Sequence, residues 1–183
     1  MIPGSLARRY ARALIGLASS GPQRDKIAKN LDAFAELCKQ PDSYGTPVMA
    51  VLASDRHPAD KRKKIIDSLL RRLGADPLLG KFLHYVLDRG RFNGVPEIAR
   101  AYRRMADEAA GRVNAEITTA SPLSPDALNK IKRALEQATG KQVIATTQVD
   151  PELIGGVVAK VGSYVVDGSV RASLNQLKTS LRS

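Results

Sequence analysis

The hydrophobic period of this chain changes once, near Gly111, and no other feature restricts its fold as much. Before that point apolar residues recur every three or four positions, as on one face of a helix. After it Val113, Ala115, Ile117 and Thr119 alternate, as on a strand with one buried face. Charge divides at the same place. Residues 1–112 carry 21 Lys plus Arg against 12 Asp plus Glu, while residues 113–183 carry 8 against 6. A length of 183 residues suffices for two small domains, each burying a core. The expectation is an α+β chain of two domains. An antiparallel bundle of six helices over 1–108 precedes a small mixed-sheet α/β module over 109–183.

Punctuation marks the helices. The first has Leu6, Tyr10, Leu14 and Leu17 on one face. Gly21-Pro22 starts a second, bearing Ile27, Leu31, Phe34 and Cys38, and Pro41 ends it. A short helix follows through Val48, Val51 and Leu52. His57-Pro58 opens a fourth with Ile65, Ile66, Leu69, Leu70 and Leu73. Asp76-Pro77 gives a cap with Pro at the first helical position, leading into Leu78, Leu79, Phe82, Leu83, Val86 and Leu87 before Gly90. A long sixth helix carries Val95, Ile98, Tyr102, Met105 and Ala109. On the fifth helix the apolar face is too wide for internal packing alone, which marks Phe82, Leu83 and Val86 as candidate partner contacts.

The second part alternates in type. A strand at 113–120 leads through Ser121-Pro122 to a helix with Leu128, Ile131 and Leu135, capped by Gly140, and residues 143–149 return as a strand. A strand–helix–strand unit favours a parallel crossover. Gly155 and Gly156 then form a structural turn before Val157-Val158-Ala159-Lys160-Val161, and Gly162-Ser163 joins this strand to Tyr164-Val165-Val166 as a hairpin. Asp167-Gly168-Ser169 is expected to break the sheet, with Gly168 in the turn and Ser169 capping a last helix. Val170, Leu174, Leu177 and Leu181 make a stripe on that helix, which either packs on the module's own sheet or meets a partner.

Few residues carry the pattern of an active site. The chain has no G-x-x-x-x-G-K-[ST] loop and no G-x-G-x-x-G after a strand, so no nucleotide-phosphate cradle is expected. His57 and His84, the only histidines, lack Cys, Asp or Glu at metal-ligand spacing. Neither a cofactor nor a metal is expected. Cys38 is the single cysteine, which excludes an internal disulfide and reads as a small buried filler rather than a reactive thiol. No apolar run approaches the ~20 residues that span a bilayer. Arg8, Arg9 and Arg12 among Ala and Leu, with no acidic residue before Asp25, fit either a first bundle helix or an organellar transit peptide. Lys61-Arg62-Lys63-Lys64, with Arg71 and Arg72 beyond, fits a solvated face, an acidic protein or lipid surface, or a phosphate backbone. A basic nucleic-acid-associated protein is therefore the alternative to a protein–protein adaptor.

Residues 150–181 read DPELIGGVVAKVGSYVVDGSVRASLNQLKTSL, and Ala7-Arg8-Arg9-Tyr10-Ala11-Arg12-Ala13-Leu14 stands near the start. With Arg89-Gly90-Arg91 before Val95-Pro96-Glu97-Ile98, and VNAEITTASPL at 113–123, four segments in order resemble the delta-subunit family of F-type ATP synthases. These subunits are the bacterial relatives of the mitochondrial oligomycin-sensitivity-conferring protein. Lys160 and Ser163 fall where that family varies. The resemblance implies a non-catalytic stator subunit that joins the catalytic head to the peripheral stalk. It implies that the helical domain holds alpha subunits of the head, with Tyr10 and Leu14 in the groove. The second domain then holds the b subunits of the stalk, with Leu174 and Leu177 as candidate contacts. It further implies peripheral membrane association, through the complex, at the cytoplasmic face of the bacterial plasma membrane, with no nucleic-acid partner.

Overall fold

The computed structural model describes residues 3–41, 45–151, 153–162, 164–170 and 172. Over these residues it is an α+β fold, with seven α-helices and a mixed sheet of four strands. The chain divides into two compact units, Met1–Ala106 and Asp107–Ser183.

The first unit contains α1 (Gly4–Leu17), α2 (Gly21–Leu37), α3 (Val48–Ala53), α4 (Ala59–Arg72), α5 (Pro77–Asp88), a 3-10 turn at Phe92–Gly94, and most of α6 (Val95–Ala109). Local chemistry sets the helix starts. Ser20 Oγ accepts from the Gln23 N–H with Pro22 in the first turn of α2, and Asp76 caps α5 through the Leu78 N–H at 2.9 Å. One core joins the helices, through Leu14, Ile27, Leu31, Leu79, Ile98 and Tyr102. Phe34 meets Phe92 edge to face at 6.2 Å between ring centres.

Expectations for three of these helices need correction. The buried stripe of α1 is Ala7, Tyr10, Ala11 and Leu14, and Leu17 is 62% exposed. Small alanines set the direction of this face because they let neighbouring helices approach, whereas the sequence reading weighed only large residues. In α4, Ile66 and Leu70 are buried while Ile65 sits at the surface, and Arg62 from the basic run is buried. Arg62 Nη1 donates to the Leu52 carbonyl at 3.2 Å and to Asp55 Oδ1 at 3.3 Å, which offsets part of the cost of burying the charge, while Nε has no hydrogen-bond partner among the described residues. At the end of α6, Ala109 is exposed.

In the second unit β1 (Arg112–Thr119), α7 (Pro125–Thr139), β2 (Gln142–Val149), β3 (Gly156–Val161) and β4 (Tyr164–Ser169) follow in order. The strands lie as β2-β1-β3-β4. β1 and β2 are parallel, with α7 as their connection, and the β1–β3 and β3–β4 pairs are antiparallel. The alternation in β1 buries Ala115, Ile117 and Thr119. Ser124 caps α7 and Gly140 closes it at φ +65°. Asp107 is buried, accepting from Arg112 Nε at 3.1 Å and Asn114 Nδ2 at 3.0 Å, and so fixes the start of β1.

The hairpin differs from its sequence reading at Gly156 and Gly168, both of which are strand residues rather than turns. Val161 pairs with Tyr164, so the loop has two residues and Gly162 takes φ +59°. Asp167-Gly168-Ser169 does not break the sheet, because β4 runs through it and pairs Gly168 with Val157 and Ser169 with Gly156. Gly168 is thus a strand residue rather than a turn. A side chain there would meet the Val157 carbonyl oxygen at 3.3 Å. Gly156 holds φ +88°, and a Cβ on it would stand 2.4 Å from the Gly168 carbonyl oxygen. Gly155 bends the chain ahead of β3 without a positive φ, and its carbonyl accepts from the Val170 N–H at 3.0 Å. The glycines permit close strand pairing.

Candidate partner-binding surface

Helices α1 and α5 bring together residues far apart in sequence. Tyr10 on α1 lies edge-on to Phe82 of α5, with 6.3 Å between ring centres, and tilted against Tyr85 at the same distance. Two arginines follow α5. Arg91 Nη1 donates to the Tyr10 hydroxyl at 3.0 Å, and its guanidinium lies 5.9 Å from the Tyr10 ring centre. Arg89 lies 5.0 Å from the Tyr85 ring centre. Helical spacing explains the grouping, since Tyr85 is one turn beyond Phe82 and Arg89 one turn beyond Tyr85. The result is an aromatic cluster with cations on its rim, half exposed at Tyr85.

The expected contact residues do not all reach this surface. Leu14, Leu83 and Val86 are fully buried in the core, and Phe82 and Tyr10 retain only 8% and 9% exposure. The premise that α5 carries more apolar face than internal packing can use therefore fails, because neighbouring helices cover these side chains. Leu174, Leu177 and Leu181 lie outside the described residues; Val170, from the same stripe, is exposed. Sequence reasoning missed Tyr85, Arg89 and Arg91 as a unit. The signal was present as an aromatic one turn from Phe82, followed by the Arg89-Gly90-Arg91 segment.

Among the described residues nothing comparable gathers for catalysis. Burial pushes the Cys38 thiol up to about 12, so it is protonated and a poor nucleophile at neutral pH. Among the described residues no group of three His, Cys, Asp or Glu is placed to hold a metal, and no helix is long and apolar enough to cross a membrane. The basic run is not a continuous phosphate-facing stripe either. Arg62 turns inward, and Lys63 Nζ pairs with Asp88 at 2.8 Å.

Known proteins align with this arrangement end to end. The sequence model of the family described as "ATP synthase delta (OSCP) subunit" matches residues 6–181. The ATP synthase subunit delta of Myxococcus xanthus is 37% identical over 184 residues, covering 100% of this chain and 99% of that protein. The subunit of the same name from Geobacter metallireducens is 37% identical over 182 residues, with coverage of 100% and 99%. A chain of the Toxoplasma gondii mitochondrial ATP synthase hexamer, solved by cryo-EM, has the same fold. Its TM-score is 0.69 at 24% identity, over 97% of this chain and 98% of that one. The chain belongs to the ATP synthase delta (OSCP) family.

Proposed function

We propose that this chain is a non-catalytic stator subunit of a proton-translocating F-type ATP synthase, joining the catalytic head to the peripheral stalk. The observation that carries this reading is full-length membership of the delta (OSCP) family, with matching relatives covered to 99% of their own length. The two-unit construction supports it, since a connector needs two surfaces on separately cored bodies. The role is mechanical. If the head turned with the central shaft, proton flow would drive no phosphorylation.

In this reading residues 1–108 form an antiparallel six-helix bundle that binds amino-terminal segments of the alpha subunits. Residues 109–183 bind the b subunits of the stalk. The alpha-facing surface is the α1/α5 cluster, with Tyr85, Arg89 and Arg91 as the outer contacts over Tyr10 and Phe82. Leu14, Leu83 and Val86 support it from inside, while Leu174 and Leu177 serve the stalk side. A helix laid on such a face is held by anchors every three or four residues. The protein then lies at the cytoplasmic face of the plasma membrane, attached through the complex.

The test is binding of the full chain to a peptide of the alpha amino terminus. Tyr85→Ala should weaken binding by about 2 kcal/mol, the scale of a central aromatic anchor, with helicity unchanged by circular dichroism. Unchanged affinity in the folded variant would move the alpha site off this surface. Truncation after Gly168 should leave alpha binding intact and uncouple ATP hydrolysis from proton pumping in the membrane-bound enzyme. Full coupling after that truncation is incompatible with the stalk role of the second unit.

A further inference from the structure

The basic run singled out in the sequence borders a cleft that the stator reading does not use. The cleft, about 740 Å³, lies between α4 and α5 and includes their connecting loop. Three exposed cations stand around it: Lys64 and Arg71, two turns apart on α4, and Lys81 on α5. None of the three is in an ion pair among the described residues. Two carboxylates line it as well. Asp67 Oδ1 lies 2.8 Å from His84 Nε2, and Asp76 accepts from the Leu78 N–H at 2.9 Å and from Gln23 Nε2 at 3.1 Å. Leu70, Ala75 and Pro77 supply apolar lining, and Gly80 leaves the α5 side without a side chain.

We propose that this cleft docks an acidic segment of a partner polypeptide, with carboxylates on Lys64, Arg71 and Lys81 and an aliphatic side chain against Leu70 and Ala75. Charge complementarity selects the occupant. Three unpaired cations around a partly apolar cleft match a segment that alternates Glu or Asp with Leu or Ala. Its volume falls within the roughly 300–1,000 Å³ of ligand clefts. A nucleic acid fits less well. No Phe, Tyr or Trp lines the cleft for a base to stack on, and its apolar lining of Leu70, Ala75 and Pro77 gives a sugar–phosphate backbone no partner. The site shares no residue with the Tyr10–Tyr85 cluster, so it stands or falls independently of the alpha-binding surface.

The experiment uses the full chain and a fluorescein-labelled helical peptide with Glu at every third or fourth position and Leu between. Anisotropy should show saturable binding that weakens with salt, and the same peptide with Gln for Glu should not bind. The variant Lys64→Glu/Arg71→Glu/Lys81→Glu should lose about tenfold or more in affinity. The variant Lys26→Glu/Lys29→Glu/Arg104→Glu changes net charge equally at exposed sites outside the cleft and should stay within about twofold. If the first variant loses helicity, Lys64→Gln/Arg71→Gln/Lys81→Gln replaces it, with the same ordering expected. Equal losses in the two charge variants would reduce the effect to net charge and overturn the proposal. Absence of peptide binding would also overturn it. So would tighter binding of oligothymidine or phosphatidylserine vesicles through the same three residues.

Discussion

Leu14, Ile27, Phe34, Leu83 and Tyr102 of the helical unit are withdrawn from water, whereas Tyr164, Val165 and Val166 of β4 in the sheet unit stand exposed on both faces of the strand. Topology explains the difference. In the helical unit each apolar stripe is one side of a body surrounded by other helices, so burial is nearly complete. In the sheet unit α7 packs on the core formed by β1, β2 and β3, and among the described residues β4 is an edge, paired with β3. An edge strand rich in exposed apolar residues is a poor place to store stability. Both units have an interior, but the smaller core of the sheet unit, at Ala115, Ile117, Leu135, Val143, Ala159 and Val161, leaves the β4 edge outside it.

The comparison breaks most visibly in the helical core. Phe34→Ala removes a fully buried ring packed on Phe92 and should destabilise the helical unit by about 3–5 kcal/mol. Urea titration followed by amide signals from each unit should move the helical transition and leave that of Ala115, Ile117 and Ala159 in place. A common shift of both transitions would mean that the units unfold as one, and the contrast would lose its thermodynamic content.

Gly156→Ala tests the sheet unit in the same way. The new methyl meets the Gly168 carbonyl oxygen and forces an L-residue to φ +88°, at a cost of about 2–4 kcal/mol. Loss of protection at the Val158 and Val166 amides, with the helical unit unaffected, is the expected exchange pattern. A neutral effect would show that the β3–β4 pairing relaxes freely.

How much was legible in sequence follows the same division. Helix positions and most core residues of the first unit could be read, because Ile27, Leu31, Phe34 and Cys38 repeat at helical spacing and their burial is cooperative. The direction of α1 could not, since Ala7 and Ala11 define it by being small. Arg62 looked like surface because its partners, the Leu52 carbonyl and Asp55, come from the preceding turn of chain, which periodicity does not encode. In the second unit Gly168 looked like a breaker. Its role depends on the strand opposite, a relation that one strand's sequence cannot express. The α1/α5 aromatic cluster was half legible. Tyr10 and Phe82 were singled out, but the cations that rim them lie past the end of α5, beyond the reach of a pattern confined to one helix.

A smaller effect separates the units at high pH. Burial raises the Cys38 thiol from an ordinary 9.0 to about 12 and the Tyr102 phenol from 10.0 to about 12. A group whose pKa is raised on folding stabilises the native state below its unfolded value, and that contribution fades as pH rises toward the folded value. Between pH 9 and 12 the helical unit should lose stability progressively, and Cys38→Ala should flatten the early part of that loss. At neutral pH Cys38 should resist iodoacetamide until urea unfolds the helical unit. Rapid labelling of the native protein would show that the α2 end opens locally, contrary to a unit closed throughout.

The smallest effect lies at the exposed edge. Asp167 is at the surface, yet its Oδ1 accepts from the Ser169 N–H at 2.9 Å, and this bond holds the carboxyl below its ordinary 3.8. Here the sign is reversed. A lowered pKa contributes stability above the unfolded value, and the contribution disappears as pH falls through the folded one. The bond sits where β4 passes into the Ser169 cap, whose Oγ accepts from the Ala172 N–H at 3.2 Å, so it fixes the exit of the chain from the sheet. The Ser169 amide shift should titrate below pH 3.8, and Asp167→Asn should abolish that titration with little change at neutral pH, because the amide oxygen still accepts. If the Ser169 amide instead follows an ordinary carboxylate midpoint, the bond is not held in solution. The sheet edge is then looser than its geometry indicates, and the contrast with the closed helical unit becomes sharper.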